Sequence, residues 1–271
     1  MTSKLYIIAT PLGNLGDITL RAIEVFKTVD TFFAEDSREF QKLLMALNIP
    51  TEGKKILSYA SHNLKEATEQ AIQWLTSGRT LGLVTDRGTP AVSDPGAQLV
   101  KRAHEEKISV IPIPGVSSVT TLISVSGIES TGFEFVGFLP HTDKQRSQLW
   151  ERVAKHEIPV VFFESPKRIQ ASVLELQKEF PEGEIFIGRE MTKKFEEYRW
   201  LKLKEVNPSA LPEIGEYAAI LVPGKKWVME DWQKELELRL SPDKEWAKEI
   251  GKRYGIASSE VYNALQKIKN K

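Results

Sequence analysis

Apolar and polar positions alternate along this chain in two rhythms, and the change of rhythm divides it. Up to roughly residue 114, short apolar runs at 4–10, 31–36, 54–60, 79–86 and 108–114 read as strands. Between them lie stretches with helical spacing, such as 17–30, where Leu20, Ile23, Phe26 and Val29 share one face. The helix predicted over 63–78 has Asn63 as its cap, Glu66 at the capping-box position and Gly78 beyond its end. The next helix is opened by "SDPG", with Asp94 as cap and Pro95 at the first position. Strands that are apolar on both faces and alternate with helices imply a parallel sheet covered on both sides.

After a helix of small and β-branched residues at 115–127, strands dominate: 133–140, 158–165, 183–191, 196–206 and 215–223. Helices are expected only around 142–156 and 166–179. The last three strands run nearly consecutively and are expected to pair antiparallel. Past Pro223–Gly224 the pattern becomes three short helices, 229–240, 241–255 and 258–271. The fold class predicted is therefore α/β: an N-terminal domain with a five-stranded parallel sheet (1–116), a second α/β domain with a mixed sheet (117–224) and a helical tail (225–271). From Lys248 onward six basic residues face two acidic ones. That tail reads as a solvated helical face or as a helix pair touching nucleic-acid phosphates.

Composition narrows the chemistry. With 271 residues the chain is long for one core, which favours two domains. No apolar stretch reaches the ~18 residues that span a bilayer, and the first residues lack the pattern of a signal peptide, so a cytoplasmic location is expected. The absence of cysteine excludes disulfides, thiolate nucleophiles and cysteine-ligated zinc. Four scattered histidines argue against a zinc site, and no metal is expected. The 37 basic and 37 acidic residues leave no global basic field, although a large RNA needs only a local patch.

Three loops at the carboxyl ends of parallel strands carry glycine, proline and small hydroxyl residues: "TPLGNLGDIT" after the first, "VTDRGTPAVSDPG" after the fourth and "PIPGVSSVTT" after the fifth. Ligands bind at that edge of an open α/β sheet. Gly13 and Gly16, with Glu35–Asp36 about 20 residues on, first suggest a dinucleotide fold. The G-x-x-G spacing lacks the G-x-G needed at a pyrophosphate, and Pro11 removes an amide donor. No P-loop motif occurs, and Arg87 is the one basic residue within the loops after strands four and five. Such a crevice suits an adenosine with a zwitterionic tail better than a triphosphate.

Taken together, "LYIIATPLGNLGDITLRAIEVF", "AEDSR", "LVTDRGTP" with "DPG", "PIPG", "GFLP", "FFESPKRI" and "GREMTK" resemble the tetrapyrrole methylase superfamily. Within it the chain is most similar to the bacterial ribosomal RNA small subunit methyltransferase I family, over residues 4 to about 222. The resemblance implies two domains with S-adenosylmethionine in the cleft between them, and a homodimer. It implies methyl transfer to the ribose 2′-hydroxyl of a cytidine in small-subunit ribosomal RNA. Sister families instead use a tetrapyrrole carbon or a modified protein side chain. By the same resemblance Thr10, Pro11, Gly13, Asp86, Gly88, Thr89, Val92, Ser117 and Ser118 surround the cofactor, and Phe163 and the Ala218–Ala219 stretch close it. The chain departs from the pattern at Arg87, where a small residue is usual, at Val116 for proline and at Ala60 for histidine.

Methyl transfer from a sulfonium needs alignment above all, and a base helps a ribose hydroxyl attack. "EDSR" offers Glu35 or Asp36 as proton acceptor and Arg38 as phosphate or carboxylate holder; its other reading is an Asp36–Arg38 ion pair capping the next helix. Lys167 and Arg168 stand where cations meet RNA phosphates, although "ESP" equally caps a helix. Arg189 is a substrate contact or a salt bridge between domains.

Overall fold

The first five apolar runs form one all-parallel sheet in the computed structural model, which describes residues 3–130, 132–156, 158–224 and 244–269. Its strands are β1 (Lys4–Ile8), β2 (Thr31–Ala34), β3 (Lys55–Ser58), β4 (Leu81–Val84) and β5 (Ser109–Ile113), ordered β3-β2-β4-β1-β5. Central β4 is buried along its whole length, as a strand covered on both faces must be. Helices α1 (Leu20–Thr28) and α2 (Ser37–Ala46) cover one face, where Phe26, Phe32 and Phe40 pack edge to face or tilted. Helices α3 (Leu64–Thr76) and α4 (Ala97–Glu105) cover the other, around Phe33, Leu75 and Leu99.

Helix α5 (Ser118–Ser126) ends at Gly127, whose φ of 70° suits the left-handed stop of a helix. The second sheet follows: β6 (Glu134–Phe138), β7 (Val160–Glu164), β8 (Glu184–Arg189), β9 (Glu197–Lys202) and β10 (Tyr217–Val222). Its order is β6-β7-β10-β8-β9. The last three strands do pair antiparallel, and β10 inserts between β7 and β8, so the final strand lies in the middle of the sheet. Strand period two sorts its side chains: Val161, Phe186, Ala218 and Ile220 pack on α5, and Val160, Phe162, Ile185 and Ala219 pack on α6 (Asp143–His156) and α7 (Ile169–Glu179).

The chain divides into two compact units, residues 1–223 and 224–271, and both sheets belong to the first. In the second unit α8 (Lys244–Tyr254) and α9 (Ser258–Lys269) bury Trp246, Ala247, Ile250 and Val261. They meet closely at Gly251, where a Cβ would stand 2.7 Å from the Ile256 carbonyl. The helix expected at 229–240 lies outside the described residues.

Two local expectations change. Asn63 stands at the start of α3 but makes no side-chain cap. Its side chain instead accepts from the Ala60 N–H (2.9 Å) and donates to the Ser58 carbonyl (3.0 Å), bracing the preceding turn. Helix α4 begins at Ala97 rather than at Pro95; Asp94 folds back on its own loop, accepting from the N–H groups of Ala91 and Gly96.

Candidate active site

The three loops predicted to form a crevice are tied to one another. Thr10 and Gly88 exchange backbone hydrogen bonds of 2.9 and 3.0 Å. The Thr10 hydroxyl also donates to the Thr85 carbonyl (3.0 Å), and Thr89 donates to the Val116 carbonyl (2.9 Å). Gly88 has a φ of 82°, and a Cβ there would meet Leu12 at 3.3 Å. Gly13 is the seat of Lys193, whose Cγ lies 2.2 Å from where a Cβ would be. Lys193 reaches from the turn after β8 and bonds to Glu190 (2.7 Å) and Glu216 (3.0 Å). The first glycine loop is thus occupied by a side chain from the second sheet.

Between these loops and the second sheet lies a cavity of about 520 Å³. Leu12, Val92, Phe138, Phe163, Met191 and Ala218 supply its apolar wall. Six carboxylates line it: Glu39 is paired with Lys42, Glu164 with Arg146 and Arg168, and Glu216 with Arg87 and Lys193, which leaves Glu35, Asp86 and Asp94 without an ion pair among the described residues. Such a wall offers no unpaired cation to a diphosphate, whereas a ligand with cationic centres and an apolar ring is accommodated. Among the described residues no cluster of His, Cys, Asp and Glu has the arrangement to hold a metal ion. No helix among them is long and apolar enough to cross a membrane.

The acids are not equivalent. The Asp36 carboxylate accepts from the Arg38 N–H and from its guanidinium at 2.9, 3.1 and 2.7 Å, and these bonds hold its pKa down to about 2. It caps α2, and neither Asp36 nor Arg38 lines the cavity. Glu35 does line it, accepting from the Thr85 hydroxyl (2.5 Å). Burial pushes the Asp86 carboxyl up; the hydrogen bond it accepts from the Asp36 N–H (2.9 Å) works against the rise, and the charges of Glu35, Asp36 and Glu39 add to it. Burial likewise raises Asp94, but both its oxygens are held by backbone N–H groups of its own loop.

Of the residues expected around the cofactor, Asp86, Val92, Ser118 and Phe163 line the cavity. Thr10, Pro11, Gly13, Gly88, Thr89 and Ser117 are not in its wall; Thr10, Gly88 and Thr89 staple the loops that form it. Ala218 lines it, and Ala219 faces α6 and α7 on the other side of the sheet. Of the three expected RNA-binding cations only Lys167 is exposed. Arg168 pairs with buried Glu164 (3.2 Å) and donates to the carbonyls of Leu139 (2.9 Å) and Pro140 (3.0 Å). Arg189 pairs with Glu197 at 3.2 Å on the neighbouring strand. Sequence reasoning missed Phe138, Glu164 and Met191 in the wall. The signal for Phe138 was Gly137, an isolated glycine inside a strand pattern, which marks a bulge.

Comparison with known proteins adds to this geometry. Residues 4–207 match the family model described as Tetrapyrrole (Corrin/Porphyrin) Methylases. The chain is similar to Ribosomal RNA small subunit methyltransferase I of Halalkalibacterium halodurans, 42% identical over 194 residues, or 72% of this chain and 66% of that one. It is 34% identical to the protein of the same name from Neisseria meningitidis serogroup B, over 98% of this chain and 94% of the relative. The fold matches that of a uroporphyrin-III C-methyl transferase from Thermus thermophilus complexed with S-adenyl homocysteine, with a TM-score of 0.59, 16% identity and coverage of 81% of this chain and 97% of that one.

Proposed function

The chain belongs to the tetrapyrrole (corrin/porphyrin) methylase family, and from that premise we propose that it transfers methyl from S-adenosylmethionine to small-subunit ribosomal RNA. The observation that carries the cofactor is the charge of the cavity: three carboxylates without an ion pair (Glu35, Asp86 and Asp94) and no unpaired cation in the wall suit a sulfonium and an ammonium and disfavour the diphosphate of NAD. The acceptor rests on relatives of 34% and 42% identity that bear the ribosomal RNA methyltransferase name. We take residues 1–116 and 117–224 as two lobes that meet at the cavity, and the cytoplasm, where ribosomes are, as the site of action.

Leu12, Val92, Phe163, Met191 and Ala218 offer an apolar bed for an adenine, and the carboxylates of Glu35 and Asp86 can take ribose hydroxyls or the ammonium. When bound, the cofactor supplies an activated methyl on a sulfonium. The stapled loops hold the donor pocket rigid, so alignment of donor and acceptor carries most of the acceleration. The acceptor we favour is a cytidine ribose 2′-hydroxyl, and Asp86 is the group that receives its proton. Asp86 lines the cavity with a raised pKa, whereas Asp36 is held by Arg38 in a form that binds protons poorly. A homodimer is supported by exposed apolar Val125 and by half-exposed Trp200, whose ring nitrogen donates to the Ser126 carbonyl (2.8 Å) beside it.

Calorimetry with S-adenosylmethionine and with NAD tests the cofactor; the expected result is binding of the first and none of the second. Incubation with purified small ribosomal subunits and labelled cofactor is expected to place label in the RNA. Tight cofactor binding with no label in the RNA would remove the acceptor assignment.

A further inference from the structure

An exposed phenylalanine at the cavity mouth is held in place by more structure than its own packing requires. Phe138 is 55% exposed yet lines the cavity. It stands there because β6 carries a bulge: the register with β7 shifts between Phe135 and Phe138, around Gly137 with a φ of 69°. In an unbroken strand, residues 135 and 138 point to opposite faces. The extra residue brings both rings to one face, where each meets Phe163 edge to face, at 5.0 and 5.6 Å. A side chain at 137 would be strained by that positive φ and would crowd Ser93, whose Oγ lies 2.8 Å from the place of a Cβ.

The segment after the ring is pinned as well. Arg168 donates to the Leu139 and Pro140 carbonyls, and Arg146 donates to the Pro140 carbonyl at 3.3 Å. Both arginines lean on Glu164, which is buried and also accepts from Ser172 (2.7 Å). Bulge, aromatic underlay and a buried ionic network thus fix the direction of one ring whose outer face is open. The cavity wall holds no unpaired cation for a phosphate, so an incoming nucleotide is best recognised there through its uncharged base.

We propose that Phe138 is the platform on which the nucleobase of the target nucleotide stacks when it is drawn out of the RNA. The proposal rests on the ribosomal RNA reading above. It also assigns Arg168 a different task, as the residue that positions this platform rather than a phosphate contact.

The test compares the full-length wild type with Phe138→Ala, Phe138→Leu and Phe138→Trp, using unmethylated small ribosomal subunits and labelled S-adenosylmethionine. Loss of one base–aromatic stack is expected to raise KM for the subunits about 5- to 100-fold in the Ala variant. The Leu variant, which keeps an apolar side chain over Phe163 but no aromatic face, is expected to behave the same way. Trp restores wild-type KM, and calorimetric affinity for S-adenosylmethionine is unchanged in all three. A wild-type KM in the Leu variant overturns the proposal. So does a loss of cofactor affinity matching the rise in KM, which would assign the ring to the cofactor. Failure of the wild type itself to label the subunit RNA overturns the ribosomal reading and this inference with it.

Discussion

The two walls of the cavity are built in opposite ways. The wall from the first sheet consists of backbone turns on three loops, stapled through Thr10, Gly88 and Thr89, with carboxylates from the loop after β4 (Asp86, Asp94) and from the end of β2 and the start of α2 (Glu35, Glu39). The wall from the second sheet consists of side chains, Phe138, Phe163 and Met191, placed by a bulge and by a buried network around Glu164. The first wall is built at the ends of strands that each precede their own helix and offers chemistry; the second is set by a strand bulge and a buried ionic network and offers shape. The lesson is that removing a functional group from the first wall should change rate with little change in stability, and removing one from the second should do the reverse.

The sharpest test of that division is Asp86→Asn. Loss of a proton acceptor is expected to lower kcat about 10²- to 10⁴-fold, measured by methyl incorporation, with the fold intact by circular dichroism. Because the folded-state pKa of Asp86 is raised, its ionised form costs stability. The Asn variant should therefore match or exceed wild-type Tm at neutral pH, and the difference should fade as pH falls through the raised pKa toward the ordinary 3.8. A Tm well below wild type at neutral pH would break the comparison.

Glu164→Gln probes the other wall. It strips the buried counter-charge from Arg146 and Arg168, a change that costs about 3 kcal/mol, read as a fall in denaturant midpoint. A smaller effect is expected from Asp36→Asn, which keeps a helix cap and removes the pair with Arg38. Asp36 has a depressed pKa, so its contribution is present above 3.8 and is lost as pH falls toward about 2. The variant's stability should accordingly be flatter than wild type across that acid range, in thermal melts at stepped pH. Arg87→Ala is expected to change least, because its pair with Glu216 is solvent-exposed: under about 1 kcal/mol, with cofactor affinity by calorimetry as the more informative readout.

The same contrast explains what the sequence made legible. The parallel sheet could be read because each strand announces itself by a local apolar run and is followed by its own helix. The acids of the cavity could be read as far as Glu35 and Asp86, which sit directly at strand ends. Residues whose place depends on distant partners were not legible. Nothing local tells that Arg168 answers to Glu164 and the Pro140 carbonyl, or that Ala218 rather than Ala219 faces the cavity, since that follows from which side of β10 meets α5. Asp36 shows the limit of motif reasoning in the other direction: the right residue type beside the right loop, spent on a helix end.

The lysine seated on Gly13 has a consequence for anyone recombining such proteins. The glycine loop after β1 and the turn that carries Lys193 after β8 are not independent parts, because the absence of one side chain is the space for the other. A larger residue at position 13 would displace the Lys193 side chain and weaken its pairs with Glu190 and Glu216, leaving Arg87 as the remaining partner of Glu216. Positions 13 and 193 are therefore sterically coupled, although 180 residues of chain separate them.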